Sequence, residues 1–503
     1  MLITVSMNRF RYLNIPMIKV IFCALFLLET SISFSQDSSE FYPVYCATED
    51  KSLEDEISVE YFQAVKNDKA IYRGKQFKAL REMHAKRRNA FLSLLRNGKL
   101  IYAGELHRHV QKIMDEVASS TPGQKDIRVF IVRDESANAF NMGGGNIFIH
   151  LGLLRRLTSD SELAFILGHE LGHDYLNHYH DKTIESAELI VNDSVNKRIR
   201  EIRRLEYGRV SELNELLVPW LLASKTKSRE CEYAADQFGL ERLEGTSFDP
   251  KSFSNVFTIL DESDKEIDST LFDFKALFFL DQIDDDFTRA LKFNTQSSLG
   301  SFKVEKDSLE DLLRTHPFGS QRKQELAAQL SIEIDETANI PVESEYESIR
   351  NLAEREVIAG VMHDGNIGRA VFHSLNLIRS KPNDKFAQRI LAFSFAYFAY
   401  AKTHRILGKS IGNNSHHNSE NFNELLLFIR QLKPEQCLQI SNILIENFNG
   451  EEYVSYPAKT VESAFYKNYE DFSIQHDILS LEESNYYLEN ALHSIVVASN
   501  LYK

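Results

Sequence analysis

Ser159-Asp160-Ser161-Glu162-Leu163-Ala164-Phe165-Ile166-Leu167-Gly168-His169-Glu170-Leu171-Gly172-His173 decides the reading of this chain. Ser159 followed three residues later by Glu162 fits a capping box, and Leu163, Ile166, Leu167 and Leu171 recur at helical spacing. A helix that starts at Ser159 therefore delivers His169 and His173 on one face, one turn apart, with Glu170 beside them. This is the H-E-x-x-H pattern of zinc hydrolases, in which both rings reach one metal ion and the carboxylate handles a water. The composition of 503 residues with 16 His predicts such a pentapeptide about 0.04 times by chance, so its presence is informative. Gly168 and Gly172 each cost about 1 kcal/mol in an ordinary helix, which implies that another element packs closely against them.

Working outward, Asp126 to Arg133 reads as a strand in which Ile127, Val129 and Ile131 alternate with polar residues, and Asn146 to His150 reads as a second. Gly143-Gly144-Gly145 between them is a turn with free access to positive φ. Upstream, residues 53–118 are charged and periodic and read as helices that lead into a compact domain, with a change of pattern after Thr121-Pro122-Gly123. Residues 181–227 read as a long, charged, mostly helical insertion. From 336 onward the chain is helical, and Ala370 to Arg379, Pro382, then Phe386 to Lys402 resembles the paired helices of a tetratricopeptide repeat. His416 and His417 fall in an Asn- and Ser-rich stretch that reads as an exposed loop. The expected divisions are a signal peptide over 1–35, a helical lead-in over 36–98, a metal-site domain over 99–335 and a helical domain over 336–503.

A catalytic zinc needs a third protein ligand and an open position. The metzincin pattern would place Gly and His at positions that here hold Leu176 and Tyr179, so it fails; His178 and His180 flank the site and read as exposed. A ligand about twenty residues on would fall at Asn192 or Asp193, and the position four beyond Asp193 is Lys197. The stronger candidate lies in Ser228-Arg229-Glu230-Cys231-Glu232-Tyr233-Ala234-Ala235-Asp236. Glu232 and Asp236 stand at i and i+4, so the first can bind metal while the second accepts a hydrogen bond from a ligand imidazole. On spacing alone, an exposed helix acid is the competing reading of Glu232.

Taken together, Asn138-Ala139-Phe140, the glycine turn, Gly152-Leu153-Leu154, Glu162-Leu163-Ala164, His169 to His173, Glu232 to Asp236, and Thr315-His316-Pro317 with Arg322 resemble metallopeptidase family 48 over about residues 100–330. That family includes HtpX-like, CAAX-prenyl-protease-like and soluble BepA-like enzymes. The resemblance implies an α+β, mostly helical, gluzincin-type domain with a small edge β-sheet and one zinc ion per chain. It implies that His169, His173 and Glu232 hold the zinc, that Glu170 is the catalytic base and that Asp236 stands behind the ligands. Asn138 and Ala139 would lie beside an edge strand that pairs with an extended peptide. His316 and Arg322 would sit near the site, to stabilise the oxyanion or to occlude the metal. Met142-Gly143-Gly144-Gly145 replaces a Pro-Gly element found in relatives.

The formal charge of -15 leaves no basic surplus for a phosphate backbone, which excludes a nucleic-acid protein. Arg9, Arg11 and Lys19 precede the apolar run Val20 to Leu28, and Ser33-Phe34-Ser35 offers small residues for cleavage, as in an export signal. No later segment reaches the length of a membrane-spanning helix. An exported chain, periplasmic or secreted, would keep Cys46, Cys231 and Cys437, an odd set that leaves at least one free thiol, with a Cys46–Cys437 bridge as one pairing. The expected function is an exported zinc endopeptidase acting on protein substrates in envelope quality control, with envelope partners gripped by the C-terminal helices. The competing reading is a chaperone-like binding module whose proteolysis is secondary. An intact Glu170 argues against a purely structural metal, which has no use for a base.

Overall fold

The structure is a computed structural model that describes residues 40–119, 121, 127–205, 207, 209–263, 270–283, 319–330, 342–415 and 418–465. The expected signal segment, His316 and the His416-His417 pair lie outside the described residues. Two long helices come first, α1 (Lys51–Ile71) and α2 (Gly74–Arg96), followed by β1 (Leu100–Ile101), α3 (Gly104–Ala118), β2 (Arg128–Val132), β3 (Ala139–Asn141) and β4 (Asn146–His150). The strands form one sheet in the order β1-β2-β4-β3, with β2 and β4 parallel and the outer pairs antiparallel.

Side chains alternate across a pleated strand, and here both faces are apolar. Val129, Ile131, Ile147, Ile149 and Ala139 join the core that contains α3. Phe130, Val132, Phe148 and Leu100 face the other way, onto Leu53 and Ile57 of α1 and Phe91 and Leu95 of α2. There the rings of Phe91, Phe130, Phe148 and Phe140 pack with centroids 4.9 to 5.3 Å apart along the row. The lead-in helices are therefore the outer layer of a helix–sheet–helix sandwich.

After β4 come α4 (Leu151–Leu154), α5 (Asp160–Tyr175), α6 (His178–Val191), α7 (Asp193–Arg203), α8 (Arg209–Leu243), α9 (Phe253–Asp261), α10 (Phe274–Leu277) and α11 (Gly319–Leu330). Helix α5 starts at Ser159, whose Oγ accepts from Glu162 N at 3.2 Å. The Glu162 carboxylate does not return to Ser159 as a capping box would. It accepts instead from Thr158 N at 2.6 Å, and from Asn255 Nδ2 at 2.6 Å, which fastens the start of α5 to α9.

The remaining chain is helical: α12 (Ser344–His363), α13 (Ile367–Ser380), α14 (Lys385–Thr403), α15 (Leu407–Ile411), α16 (Glu420–Gln431), α17 (Pro434–Asn447) and α18 (Glu452–Phe465). Helix α12 belongs to two cores. Tyr346, Ile349, Ala353 and Val357 join the core of the sheet, where α12 packs on α4 and α3, whereas Ile358, Ala359 and Met362 join the C-terminal helices. Helix α14 is buried continuously from Phe386 to Ala401 and packs against α13, α17 and α18. Cys46, Cys231 and Cys437 are all free thiols, so the Cys46–Cys437 bridge is not formed. Among the described residues no helix is long and apolar enough to cross a membrane.

A buried polar cluster ties α13 to the β2–β3 loop. His373 Nε2 lies 2.6 Å from Glu135 Oε2, while its Nδ1 lies 3.1 Å from an Arg155 nitrogen that can only donate. The ring is thus held as the neutral tautomer, and burial, reinforced by the Arg155 charge, pulls its pKa down to about 4. Because the unfolded ring binds a proton near its ordinary value, unfolding takes up a proton between that value and about 4, and stability falls as the pH drops through this window. Equilibrium unfolding of His373→Asn should show a flatter loss of stability between about pH 6.5 and 4 than the parent.

Candidate active site

The motif helix α5 and the long helix α8 touch almost backbone to backbone. A Cβ on Gly168 would lie 3.1 Å from Gly239 Cα, and one on Gly172 would lie 3.1 Å from Ala235 Cα. The absence of side chains at these points brings α8 close enough to present Glu232 to the two histidines. His169 Nε2 and His173 Nε2 are 3.1 Å apart, and they stand 3.6 and 3.5 Å from Glu232 oxygens. Bonds of 2.0–2.1 Å in a tetrahedron put neighbouring ligand atoms about 3.3 Å apart, so two imidazole nitrogens and a carboxylate at this spacing fit a zinc ion. These three are also the set of potential metal ligands that converges among the described residues. His169, Glu170 and Glu232 are buried and His173 is half-buried.

Each imidazole is held from behind. His169 Nδ1 lies 2.8 Å from Asp236 Oδ1, and Asp236 accepts from Arg322 Nε at 2.6 Å and from Arg322 Nη2. Arg322 Nη1 stands 3.2 Å from Glu232, and the guanidinium lies over the Phe257 ring at 4.8 Å. Burial alone would push the Asp236 carboxyl up, but Arg322 and the His169 ring outweigh it and hold Asp236 below the usual carboxylate value. Burial likewise pulls the His173 ring down, and Glu232 with Glu170 reverses this and raises it. The site is therefore a pocket of negative potential that favours a cation.

His173 is backed by a residue the sequence reading placed in solvent. His178 Nδ1 lies 2.9 Å from His173 Nδ1. Asn177 adopts a left-handed conformation with φ 58°, which lets α6 start at once and turns His178 back onto the motif helix. Burial and the neighbouring His173 keep His178 below the ordinary histidine value, which suits a neutral acceptor of the His173 Nδ1 proton. The Asn preceding His178 was the available signal, because Asn tolerates the left-handed region that such a reversal needs.

Beside the pocket runs β3, one of the two edge strands of the sheet among the described residues. Asn138 O accepts from His150 N at 2.9 Å and Met142 N donates to Asn146 O at 3.1 Å, so the even-numbered positions of this strand bond to β4. By the alternation of an antiparallel ladder, the backbone groups of Ala139 and Asn141 point outward. Asn141 Nδ2 donates to Glu170 O at 3.2 Å, which fixes the edge to the motif helix. Gly143, Gly144 and Gly145 have φ of 79°, 73° and 79°, so the turn after β3 uses three consecutive positive values that only glycine takes without strain. Asp174 Oδ1 accepts from Gly145 N at 3.2 Å and Arg87 donates to Met142 O at 3.2 Å, which holds that turn beside the site. The structure thus brings His169, Glu170, His173, Glu232, Asp236 and Arg322 together, while Asn138 and Ala139 lie on the chain segment that Asn141 ties to the motif helix.

An α+β fold that sets H-E-x-x-H on one helix against a glutamate on a second, next to an open strand, is the arrangement of a metallopeptidase. The model for peptidase family M48 matches residues 101–330 of this chain. Over 177 residues it is 27% identical to a Vibrio cholerae protein described as a beta-barrel assembly-enhancing protease, covering 34% of this chain and 36% of that one. It is 24% identical over 165 residues to the mitochondrial metalloendopeptidase OMA1 of Schizosaccharomyces pombe, covering 32% and 46%. The beta-barrel assembly-enhancing protease of Yersinia pestis is 24% identical over 171 residues, covering 33% and 35%. The chain therefore spans less than half the length of these relatives.

The helix contact yields a direct test. A Cβ on Gly239 would sit 2.9 Å from His169 N, so Gly239→Ala must push the helices apart and draw Glu232, two turns away, off the histidines. Denaturant unfolding should show a loss of about 1–3 kcal/mol, and zinc competition with a chelator should show weaker binding. Replacing His178 by Ala should lower zinc affinity about 10- to 100-fold with little change in stability.

Proposed function

We propose that this protein is a zinc-dependent endopeptidase that cleaves extended segments of protein substrates. The observation that carries the reading is the convergence of His169, His173 and Glu232 at 3.1 to 3.6 Å with Glu170 on the same helix. The chemistry a zinc ion supplies at such a site is polarisation of a scissile carbonyl and acidification of a water. Glu170 takes the proton of the attacking water and passes it to the leaving amine. Ala139 and Asn141 pair with the substrate backbone and set the scissile bond across the pocket. Asp236 and His178 orient the two imidazoles. Arg322 acts as a positioning residue, because its guanidinium is committed to Asp236 and Glu232. His316 is assigned to meet the developing oxyanion or to occlude the site at rest.

The gluzincin class follows from a glutamate as third ligand. Export to the cell envelope rests on the N-terminal charge and apolar pattern together with the similarity to beta-barrel assembly-enhancing proteases, and it places the substrates among envelope proteins. We assign partner binding to the C-terminal helices, of which α13–α14 is the tetratricopeptide-like pair; because α14 is buried throughout, the faces offered to a partner belong to the helices packed around it.

Purified Glu170→Gln should bind zinc like the parent yet cleave casein about 10²- to 10⁴-fold more slowly. Proteolysis at the parental rate would remove Glu170 from the mechanism. In Glu232→Ala the bound zinc should drop below one per chain, and full occupancy would move the third ligand elsewhere.

A further inference from the structure

The helical lead-in precedes the segment that matches the family, yet it walls the site. A cleft of about 1100 Å³ opens at His173 and the Gly143–Gly144 turn and continues along α1. Its α1 wall comprises Ser52, Asp55, Glu56, Val59, Glu60, Gln63, Ala64, Asn67 and Ile71. These positions recur every three or four residues, so they form one stripe of the helix, distinct from Leu53 and Ile57, which pack on the sheet. The stripe is uncovered: Val59 is 67% and Ile71 69% exposed, with Gln63 and Asn67 hydrogen-bonded to one another across the surface at 2.8 Å. The wall is also locked to the turn, since Glu60 Oε2 accepts from Asn146 Nδ2 at 2.8 Å.

The charge of the cleft is one-sided. Asp55, Glu56, Glu60, Asp68 and Asp174 line it, against Arg87 and Arg128; Asp55 also pairs with Lys51 at 2.5 Å and the buried Asp68 with His84 at 2.8 Å, so the surplus that faces the cleft rests chiefly on Glu56, Glu60 and Asp174. Both arginines are already engaged. Arg128 bonds Glu56 at 2.9 Å and also Glu60, and Arg87 donates to Met142 O and lies over the Tyr179 ring at 5.6 Å. A concave surface with surplus carboxylate focuses negative potential and draws in cationic groups.

We propose that the exposed stripe of α1 is a substrate-binding wall that selects extended polypeptide segments carrying lysine or arginine beside apolar residues. The occupant is the protein substrate, because the cleft shares His173 and the glycine turn with the metal pocket and with the outward-facing edge of β3. Val59, Ala64 and Ile71 give the apolar contact, and the carboxylates give the preference for a basic side chain. This inference rests on the peptidase reading for what enters the cleft, but it makes a binding prediction of its own.

The test uses the full chain as zinc-loaded Glu170→Gln and two fluorescein-labelled decapeptides of identical apolar background, one with central arginines and one with central glutamates. Fluorescence anisotropy should show the arginine peptide binding at least about tenfold more tightly, with the margin shrinking as salt is added. Adding Asp55→Lys and Val59→Arg should abolish or reverse the preference while zinc content stays that of the parent, which shows that the fold is kept. An unchanged preference in that variant, or none in Glu170→Gln itself, overturns the proposal. Cleavage is scored separately with the wild-type chain. Selective binding without hydrolysis of either peptide or casein would sink the peptidase reading and leave the wall standing, and hydrolysis indifferent to the α1 changes would do the reverse.

Discussion

Asp236 can be buried completely only because Arg322 is buried with it. A lone carboxylate away from water is costly, and here the fork of the guanidinium takes both its oxygens while the His169 ring takes a third bond. The same guanidinium reaches Glu232, so a single cation serves both acids of α8 that face the histidines and leaves the pocket net negative. Arg322 comes from α11, far along the chain, and its arrival joins three helices around one charge balance. The orientation of His169, the placement of Glu232 and the packing of α11 onto Phe257 all follow from that pairing.

The second requirement is proximity. Carboxylate and imidazole side chains are short, so the ligand set closes only if α5 and α8 approach until their backbones touch. Gly168, Gly172 and Gly239, with Ala235, meet that demand. The intrinsic cost of two glycines within α5 is offset by a contact that no larger residue would permit.

Much of this was legible in the sequence. The pentapeptide, its helix start at Ser159, the strand over 146–150, the glycine turn and the i, i+4 pair Glu232–Asp236 each carry a local pattern with a physical meaning, and the structure places them as read. The signal was weaker where the outcome depends on tertiary contacts. His178 reads as exposed because nothing in its own neighbourhood shows that Asn177 reverses the chain. The box at Ser159 shifted because Asn255 competes for Glu162. The lead-in helices read as a preface, since amphipathic periodicity does not reveal that their apolar side covers a sheet whose second face is as hydrophobic as the first.

Helix α12 is stitched into the sheet's core through Tyr346, Ile349, Ala353 and Val357, and Tyr346 closes a hydrogen bond to Leu154 O at 2.9 Å. The C-terminal helices are consequently not cargo that a gene could shed. A stop codon placed before Ser344 would delete part of the core that α12 shares with the sheet, and a frameshift in that region should act genetically as a null allele of the whole protein. The twenty residues of α12 thus couple the sheet's core to that of the C-terminal helices.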